Sequence, residues 1–154
     1  MSAQWQDSCK SILLIEDRQS YVDLVIEALA NFEKCNTCYN LYAVKNGEAA
    51  LDFLYKRAEY AKVPSPGLII LDLNLPQMNG LEFLSVVKQD RYLKTIPVVI
   101  LSSSNNPRDI FECYERHANC YVNKPADLDR FFITIETIVN FWFANVKLPD
   151  ITKR

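Results

Sequence analysis

Short apolar runs alternate with longer amphipathic segments along the chain. Five runs rich in Ile, Leu and Val are bounded by polar or turn residues, which is typical of strands buried on both faces. These runs are Ser11 to Ile15, Leu41 to Val44, Leu68 to Leu71, Val98 to Leu101 and Cys120 to Val122. A strand followed by a helix, five times over, predicts a doubly wound α/β domain: a five-stranded parallel sheet with five helices on its two faces.

The predicted helices carry apolar residues at spacings of three and four, so that one side of each helix can face the sheet. In the first four helices these residues are Val22, Val25, Ile26 and Leu29, then Ala50, Phe53 and Leu54, then Leu81, Leu84 and Val87, then Ile110, Cys113 and Tyr114. Acidic residues in segment 127–130 are typical of the first turn of a last helix.

The last helix has an apolar stripe that is long for a small sheet. At about 100° per residue, its members fall within an arc of roughly 140°. They are Phe131, Phe132, Ile135, Ile138, Val139, Trp142, Phe143 and Val146. Ile133 and Phe141 lie outside the arc, and exposed apolar surface of this kind marks interaction sites. We therefore predict an extended C-terminal helix and a homodimer through it, with Ile133, Phe141, Trp142 and Phe143 at the interface; an extended core is the alternative.

Composition and charge narrow the class of protein. The chain has 154 residues, is 49% apolar and has a net charge of −2, which is typical of one globular domain. That charge gives no field to hold nucleic acid or an anionic membrane surface. The first apolar run is too short for a signal peptide or a membrane span. We expect a cytoplasmic protein with an N-terminal extension at 1–10, a domain at 11–146 and a tail at 147–154.

The cysteines support a reducing compartment. There are five, an odd number at irregular spacing, in a chain long enough to build a core without disulfides. Cys35 and Cys38 have CxxC spacing, but zinc needs about four ligands and the only histidine is the distant His117. We therefore interpret the pair as part of an ordinary loop, and His117 as a packing or surface residue.

Polar residues with related chemistry follow four of the predicted strands. Glu16-Asp17 follows the first run, Asp72 the third, Ser102 the fourth and Lys124 the fifth. Ligands of open α/β sheets bind at the carboxyl ends of the strands, so these residues are expected to meet. Converging carboxylates repel unless a cation lies among them, and their hard oxygen ligands suit Mg²⁺. Together with Lys and Ser donors, they predict a site that stabilises a phosphoryl group during transfer.

These residues resemble the signature of a known family. Glu16-Asp17, the segment from Asp72 to Gly80, Ser102 and Lys124-Pro125 are similar to the pattern of CheY-like receiver domains of two-component response regulators, over about 11–143. Segments 117–121 and 140–149 resemble the single-domain regulators that partner cyanobacterial phytochromes. The resemblance implies a phosphorelay protein that accepts a phosphoryl group from a sensor histidine kinase, a phytochrome, and signals by altered protein docking.

The resemblance also implies a role for each site residue. Asp72 would be the phosphoacceptor. Asp17 and Asp72 would ligate Mg²⁺ with the backbone carbonyl of Asn74, and Glu16 would act through water. Lys124 would neutralise the transferred oxygens.

Further residues would shape the site or change position when it is phosphorylated. Ser102 would donate its hydroxyl to the phosphoryl group, and Tyr121 would turn inward when Ser102 shifts; the alternative for Tyr121 is a half-buried strand residue that never moves. Pro76 and Gly80 would shape the loop behind the phosphoacceptor. The Lys124-Pro125 bond is a candidate cis peptide, because the cis form is tolerated mainly before proline.

Other functions stay open on the sequence alone. A haloacid-dehalogenase-type phosphatase would need an acid two residues after its nucleophile, where this chain has Asn74. A flavodoxin-like binder could cradle phosphate with segment 102–106, but it would leave the three acidic residues uncompensated. An adaptor that keeps the fold and is never phosphorylated is a further alternative. In the interpretation we favour, the protein is not a metabolic enzyme and catalyses only its own phosphorylation and dephosphorylation.

Overall fold

Five parallel strands form the centre of the molecule. The computed structural model describes residues 9–32 and 38–150 of the chain. The strands are β1 (Lys10–Ile15), β2 (Tyr39–Val44), β3 (Leu68–Leu71), β4 (Val98–Ser102) and β5 (Cys120–Asn123), in the spatial order β2-β1-β3-β4-β5. Every pairing is parallel. This confirms the doubly wound sheet that the strand-helix alternation predicts.

Helices cover the sheet on both faces. They are α1 (Gln19–Phe32), α2 (Gly47–Leu54), α3 (Gly80–Gln89), α4 (Pro107–Glu115) and α5 (Leu128–Asn140). Apolar residues of α2, α3 and α4 form one core with one side of the sheet, and those of α1 and α5 form a second core with the other side. No helix in residues 9–32 and 38–150 is long and apolar enough to cross a membrane.

Four helices begin with an Asn or Asp that accepts a backbone N–H of the first turn. The Asn46 side chain accepts from Ala49, Asn79 from Glu82, Asn106 from Arg108 and Asp127 from Arg130. Such caps satisfy N–H groups that have no partner inside the helix. α2 and α5 each begin within a few residues of the end of the preceding strand. The loops that connect these strands to the helices are therefore short, and they stay close to the carboxyl edge of the sheet.

Burial departs from the sequence pattern at the rims of the two cores. The edge strands β2 and β5 are only partly buried, whereas β3 and β4 are buried throughout. The prediction that all five strands are buried on both faces is therefore wrong for the edges, which have one neighbouring strand instead of two. Ile26 and Tyr114, both assigned to core-facing stripes, are about half exposed.

The last helix changes form before it ends. After Asn140 the chain makes a π-helical turn, Phe141–Asn145. Trp142 and Phe143 pack against the core formed by α1 and α5, and a Cβ on Gly67 would lie 2.9 Å from Phe143 Cε1. For these two aromatic residues the contacts match the extended-core alternative. Ile133 and Phe141 are exposed, at 59% and 48%.

Two of the cysteines form a disulfide. Cys9 and Cys38 lie directly before β1 and β2, whose paired register begins at Lys10 and Tyr39. The expectation of a chain without disulfides is therefore wrong, because parallel pairing of two neighbouring strands brings these distant thiols together. The CxxC prediction rests in part on Cys35, which lies outside the described residues.

Among the described residues, Cys113, Cys120 and His117 belong to no group of side chains that could hold a metal ion. Cys113 is buried and Cys120 half-buried, and both are free thiols. Burial raises the pKa of the Cys113 thiol to about 11, so it stays protonated near neutral pH. His117 is exposed, in agreement with its assignment as a packing or surface residue.

Candidate functional site

The carboxyl ends of the strands hold every buried polar side chain in the described part of the molecule. These four side chains are Glu16, Asp72, Ser102 and Lys124. Ile15 pairs with Leu71 and Ser102 with Asn123, so the residues that end or follow β1, β3, β4 and β5 lie along the same edge. Burying polar groups is costly unless they are paired. Four buried polar side chains at one edge of the sheet therefore indicate a functional site.

Lys124 connects two of the carboxylates. Its Nζ lies 2.7 Å from Glu16 Oε2 and 3.5 Å from Asp72 Oδ2, and its side chain is 4% exposed. The Glu16 contact is a short charge-assisted hydrogen bond that joins the residue after β1 to the residue after β5. The ammonium is therefore fixed close to the Asp72 carboxylate.

Three carboxylates gather at this edge. Oxygen atoms of Glu16, Asp17 and Asp72 all lie within 4.8 Å of one another, with Asp17 exposed to solvent and the other two buried. Burial raises the pKa of Glu16 above its ordinary value; the Asp72 charge acts in the same direction, while Lys124 and the N–H of Arg18 lower it. One ammonium cannot balance three carboxylates, so the donor set fits a hard divalent cation.

The loop after β3 is shaped by close backbone contact. A Cβ on Gly80 would lie 2.6 Å from the carbonyl oxygen of Asp72, closer than any side chain allows. Gly80 also donates its N–H to the Leu73 carbonyl. The N–H of Asn74 donates to Asp72 Oδ1 at 3.4 Å. Gly80 therefore shapes the loop as predicted, and the backbone of Asn74, whose carbonyl is predicted as a metal ligand, lies beside the Asp72 carboxylate.

Ser102 and Tyr121 are linked through the segment that follows β4. Ser102 Oγ accepts the N–H of Ser104 at 3.2 Å. The Tyr121 hydroxyl donates to the Ser104 carbonyl at 2.8 Å, and the half-buried ring packs against the core formed with α2, α3 and α4. A change at Ser102 would therefore reach Tyr121 through one residue, Ser104.

Two features of the site differ from the sequence-based prediction. The described residues contain no cis peptide, so the Lys124-Pro125 bond is trans and that prediction is wrong. Tyr21, which was not predicted as a site residue, also belongs to the site: its ring centroid lies 3.9 Å from Lys124 Nζ. Its available signal was its position: four residues after Asp17, one helical turn into α1.

Known proteins are similar to this chain in sequence and in fold. Residues 12–136 match the family model described as the response regulator receiver domain. The chain is 43% identical to the response regulator Rcp1 of Synechocystis sp. over 141 residues, which cover 91% of this chain and 93% of that protein.

Solved structures of response regulators superimpose on the structure of this chain. The crystal structure of the phosphorylated cyanobacterial phytochrome response regulator RcpA superimposes with a TM-score of 0.87 at 42% identity, covering 92% of this chain and 99% of that one. The Mn²⁺-bound form of response regulator Rcp1 gives a TM-score of 0.84 at 41% identity, with the same coverage. The latter shows a divalent metal ion bound to a relative of this chain.

Proposed function

The chain belongs to the response regulator receiver family, and on that premise we propose that it accepts a phosphoryl group on Asp72. One observation carries the proposal: Asp72 is buried beside Lys124 at an edge where the other buried polar side chains are Glu16 and Ser102. An isolated buried carboxylate would be unfavourable, whereas a carboxylate beside a fixed ammonium is suited to receive an anionic group. We assign the receiver unit to residues 11–146.

The proposed reaction is a displacement at phosphorus. A carboxylate oxygen of Asp72 attacks the phosphohistidine of the kinase, the P–N bond breaks, the imidazole leaves, and an acyl phosphate forms on Asp72. Lys124 offsets the charge of the transferred oxygens. The Ser102 hydroxyl donates a hydrogen bond to one of them.

Mg²⁺ is the ion we propose for the carboxylate cluster. Asp17 and Asp72 would hold it with the backbone carbonyl of Asn74, and Glu16 would contact it through water. When bound, it would supply positive charge to the phosphoryl oxygens. Without a cation the three carboxylates repel one another, and the Asp72 charge adds to the effect of burial in raising the pKa of Glu16.

Incubation with Mg²⁺ and labelled acetyl phosphate tests the phosphoacceptor. We expect alkali-labile label that tolerates acid better than phosphohistidine does, and complete loss of label in Asp72→Asn, because an amide cannot form the acyl phosphate. Asp52→Asn is the matched control, since Asp52 lies on α2 and pairs with Arg57 at the surface. Label that survives Asp72→Asn would end the proposal.

The same experiment separates the alternatives. A chain that takes no label from acetyl phosphate or from a phosphohistidine kinase would be an adaptor with the receiver fold. A metal-dependent phosphatase would need a carboxylate near the Asn74 position to protonate its leaving group. Asn74 is an exposed amide, which argues against steady turnover of phosphomonoesters.

We propose a sensor histidine kinase of the phytochrome class as the phosphoryl donor, and the cytoplasm as the location. Support for the kinase class comes from the relatives: RcpA is a phytochrome response regulator, and so is a further structural relative, the bacteriophytochrome response regulator RtBRR, at 34% identity.

For the output, we propose that phosphorylation shifts β5 and the helices beside it between two arrangements. The hydrogen bond from Tyr121 to the Ser104 carbonyl supports this route, because Ser104 also binds the Ser102 hydroxyl oxygen. In this proposal Tyr121 changes position when Ser102 turns toward the phosphoryl group.

We further propose that two copies associate through α5 and its neighbours β5 and α4. Ile133 and Phe141 expose apolar surface on α5 and just after it, and Phe111 of α4 is 67% exposed. Trp142 and Phe143 contribute less, because they pack against their own chain. Exposed apolar groups of this size are favourable where a second copy covers them.

Sedimentation at micromolar concentration, with and without beryllofluoride as a phosphoryl mimic, tests this association. We expect a dimer in at least one condition and a monomer for Ile133→Glu combined with Phe141→Glu, since a charge at the interface would have to be buried. Ile26→Glu is the control: Ile26 is 50% exposed on α1, which is not one of the elements of the proposed interface. A wild-type chain that sediments as a monomer in both conditions would contradict the proposal.

A further inference from the structure

The Lys124 ammonium has a third neighbour besides its two carboxylates. The aromatic ring of Tyr21 lies with its centroid 3.9 Å from Lys124 Nζ. This is well within the distance of about 6 Å at which a ring face attracts a cation. With Glu16 at 2.7 Å and Asp72 at 3.5 Å, the ammonium is enclosed by two carboxylates and one ring.

The ring is itself held in place. Tyr21 lies in the first turn of α1, and its ring centroid is 5.8 Å from that of Phe131 on α5. Tyr21 and Phe131 also line a groove of about 320 Å³ between the start of α1 and the start of α5. Lys124 is nevertheless buried, so the Tyr21 ring covers the ammonium on the side of this groove.

A ring and a carboxylate hold an ammonium in different ways. A carboxylate neutralises the cation and competes with any incoming anion. A ring face attracts the cation through its quadrupole, adds no net charge, and keeps water away. The ammonium can therefore exchange a carboxylate for a phosphoryl oxygen while it keeps its contact with the ring.

We propose that Tyr21 is a positioning residue for phosphoryl transfer: its ring holds the Lys124 ammonium against Asp72 and shields it from the groove. This inference rests on the proposed function, because it assigns Lys124 to the transferred oxygens. It adds a part of the site contributed by α1. The hydroxyl of Tyr21 takes no part in it.

Replacing the ring tests the inference. Tyr21→Leu keeps an apolar side chain against Phe131 but removes the ring, and we expect phosphorylation by acetyl phosphate at saturating Mg²⁺ to slow about tenfold, in line with a buried cation-π contact. Beryllofluoride affinity should fall by a similar factor. Tyr21→Phe keeps the ring and should restore both values to within about twofold of the wild type.

A series of increasingly fluorinated phenylalanines at position 21 separates electrostatics from packing. Fluorine withdraws electron density from the ring face with little change of shape, so both values should decline stepwise along the series. A purely structural ring would give no such trend. The Mg²⁺ concentration for half-maximal rate should stay within about twofold of the wild-type value, because the ring is not among the groups that would hold the ion.

Tyr42→Leu is the matched control. The Tyr42 ring packs on Phe53 at 5.1 Å in the other core, so its loss should lower the melting temperature without slowing phosphorylation. Equal rates for Tyr21→Leu and Tyr21→Phe, or a flat fluorination series, in a wild-type chain that takes label would overturn this inference alone. A wild-type chain without label would overturn the proposed function together with it.

Discussion

Lys124→Met is expected to slow phosphorylation of Asp72 about 100- to 1000-fold, the usual effect of removing one preorganised charge or donor at a reacting oxyanion. The structure places this ammonium 3.5 Å from Asp72 Oδ2 with a side chain that is 4% exposed, so water cannot replace it fully. Methionine matches the length of the lysine stem and removes the ammonium, with both its charge and its hydrogen-bond donors. The rate of label incorporation from acetyl phosphate at saturating Mg²⁺ measures the effect.

Lys88→Met is the matched control. Lys88 is half-buried, and its Nζ donates to the Ile96 carbonyl and to Asn119 Oδ1, both at 3.0 Å, at the opposite end of the sheet. Burial lowers the pKa of Lys88 to about 8. Its replacement should lower the melting temperature, because these acceptors lose a donor, and leave the labelling rate unchanged. Equal slowing in both variants would show that Lys124 acts through stability alone.

Most of the candidate site follows from the sequence because one rule positions it. Parallel strands joined by crossovers end at the same edge, so residues that follow different strands converge even when they are far apart in the chain. Glu16 and Lys124 are separated by 108 positions and yet form a hydrogen bond of 2.7 Å. Short buried strands are easy to recognise, and the first polar residue after each is therefore easy to locate.

Contacts between side chains on different elements were harder to predict. The Tyr21 ring meets Lys124 only because α1 and α5 pack on the same face of the sheet and bring Phe131 against it. Helical spacing predicts which side of α1 faces inward, but it does not specify which ring covers which charge. Ile26 illustrates the same limit: its spacing fits the apolar stripe of α1, and it is 50% exposed.

The end of α5 was predicted in extent but not in form. The apolar pattern continues past Asn140, and so does the helical segment, as a π-helical turn to Asn145. The change of form turns Phe143 toward Tyr39 of the edge strand, with ring centroids 5.8 Å apart. A stripe calculated for a uniform helix cannot anticipate this, because a π-helical turn alters the angle between successive side chains.

The disulfide was missed for a related reason. Cysteine count and spacing favoured free thiols, and pairing depends on strand register, which spacing does not reveal. Cys9 and Cys38 lie side by side because Lys10 pairs with Tyr39. In a reducing cytoplasm, the location we propose, such a bond would be opened, whereas purified protein handled in air would keep it.

Reduction of the Cys9-Cys38 bond is expected to lower the free energy of unfolding by about 3.5 kcal/mol. The bond closes a loop with a sequence separation of 29 residues, and opening it restores that loop's freedom to the unfolded chain. Urea unfolding with and without dithiothreitol measures the change, as a midpoint lower by about 1 to 2 M. Thiol titration of the denatured protein should reveal two additional thiols after reduction.

Two cysteine variants test whether the disulfide causes the shift in the urea midpoint. Cys38→Ser should unfold at the lower midpoint whether or not dithiothreitol is present, because it cannot form the bond. Cys120→Ser should keep the full dependence on reductant, since Cys120 is a free thiol. The site lies at the other end of β1, so phosphorylation of Asp72 should proceed in both redox states. Equal midpoints with and without reductant, in protein whose thiol titration shows the bond, would contradict a stabilising role for the loop closure.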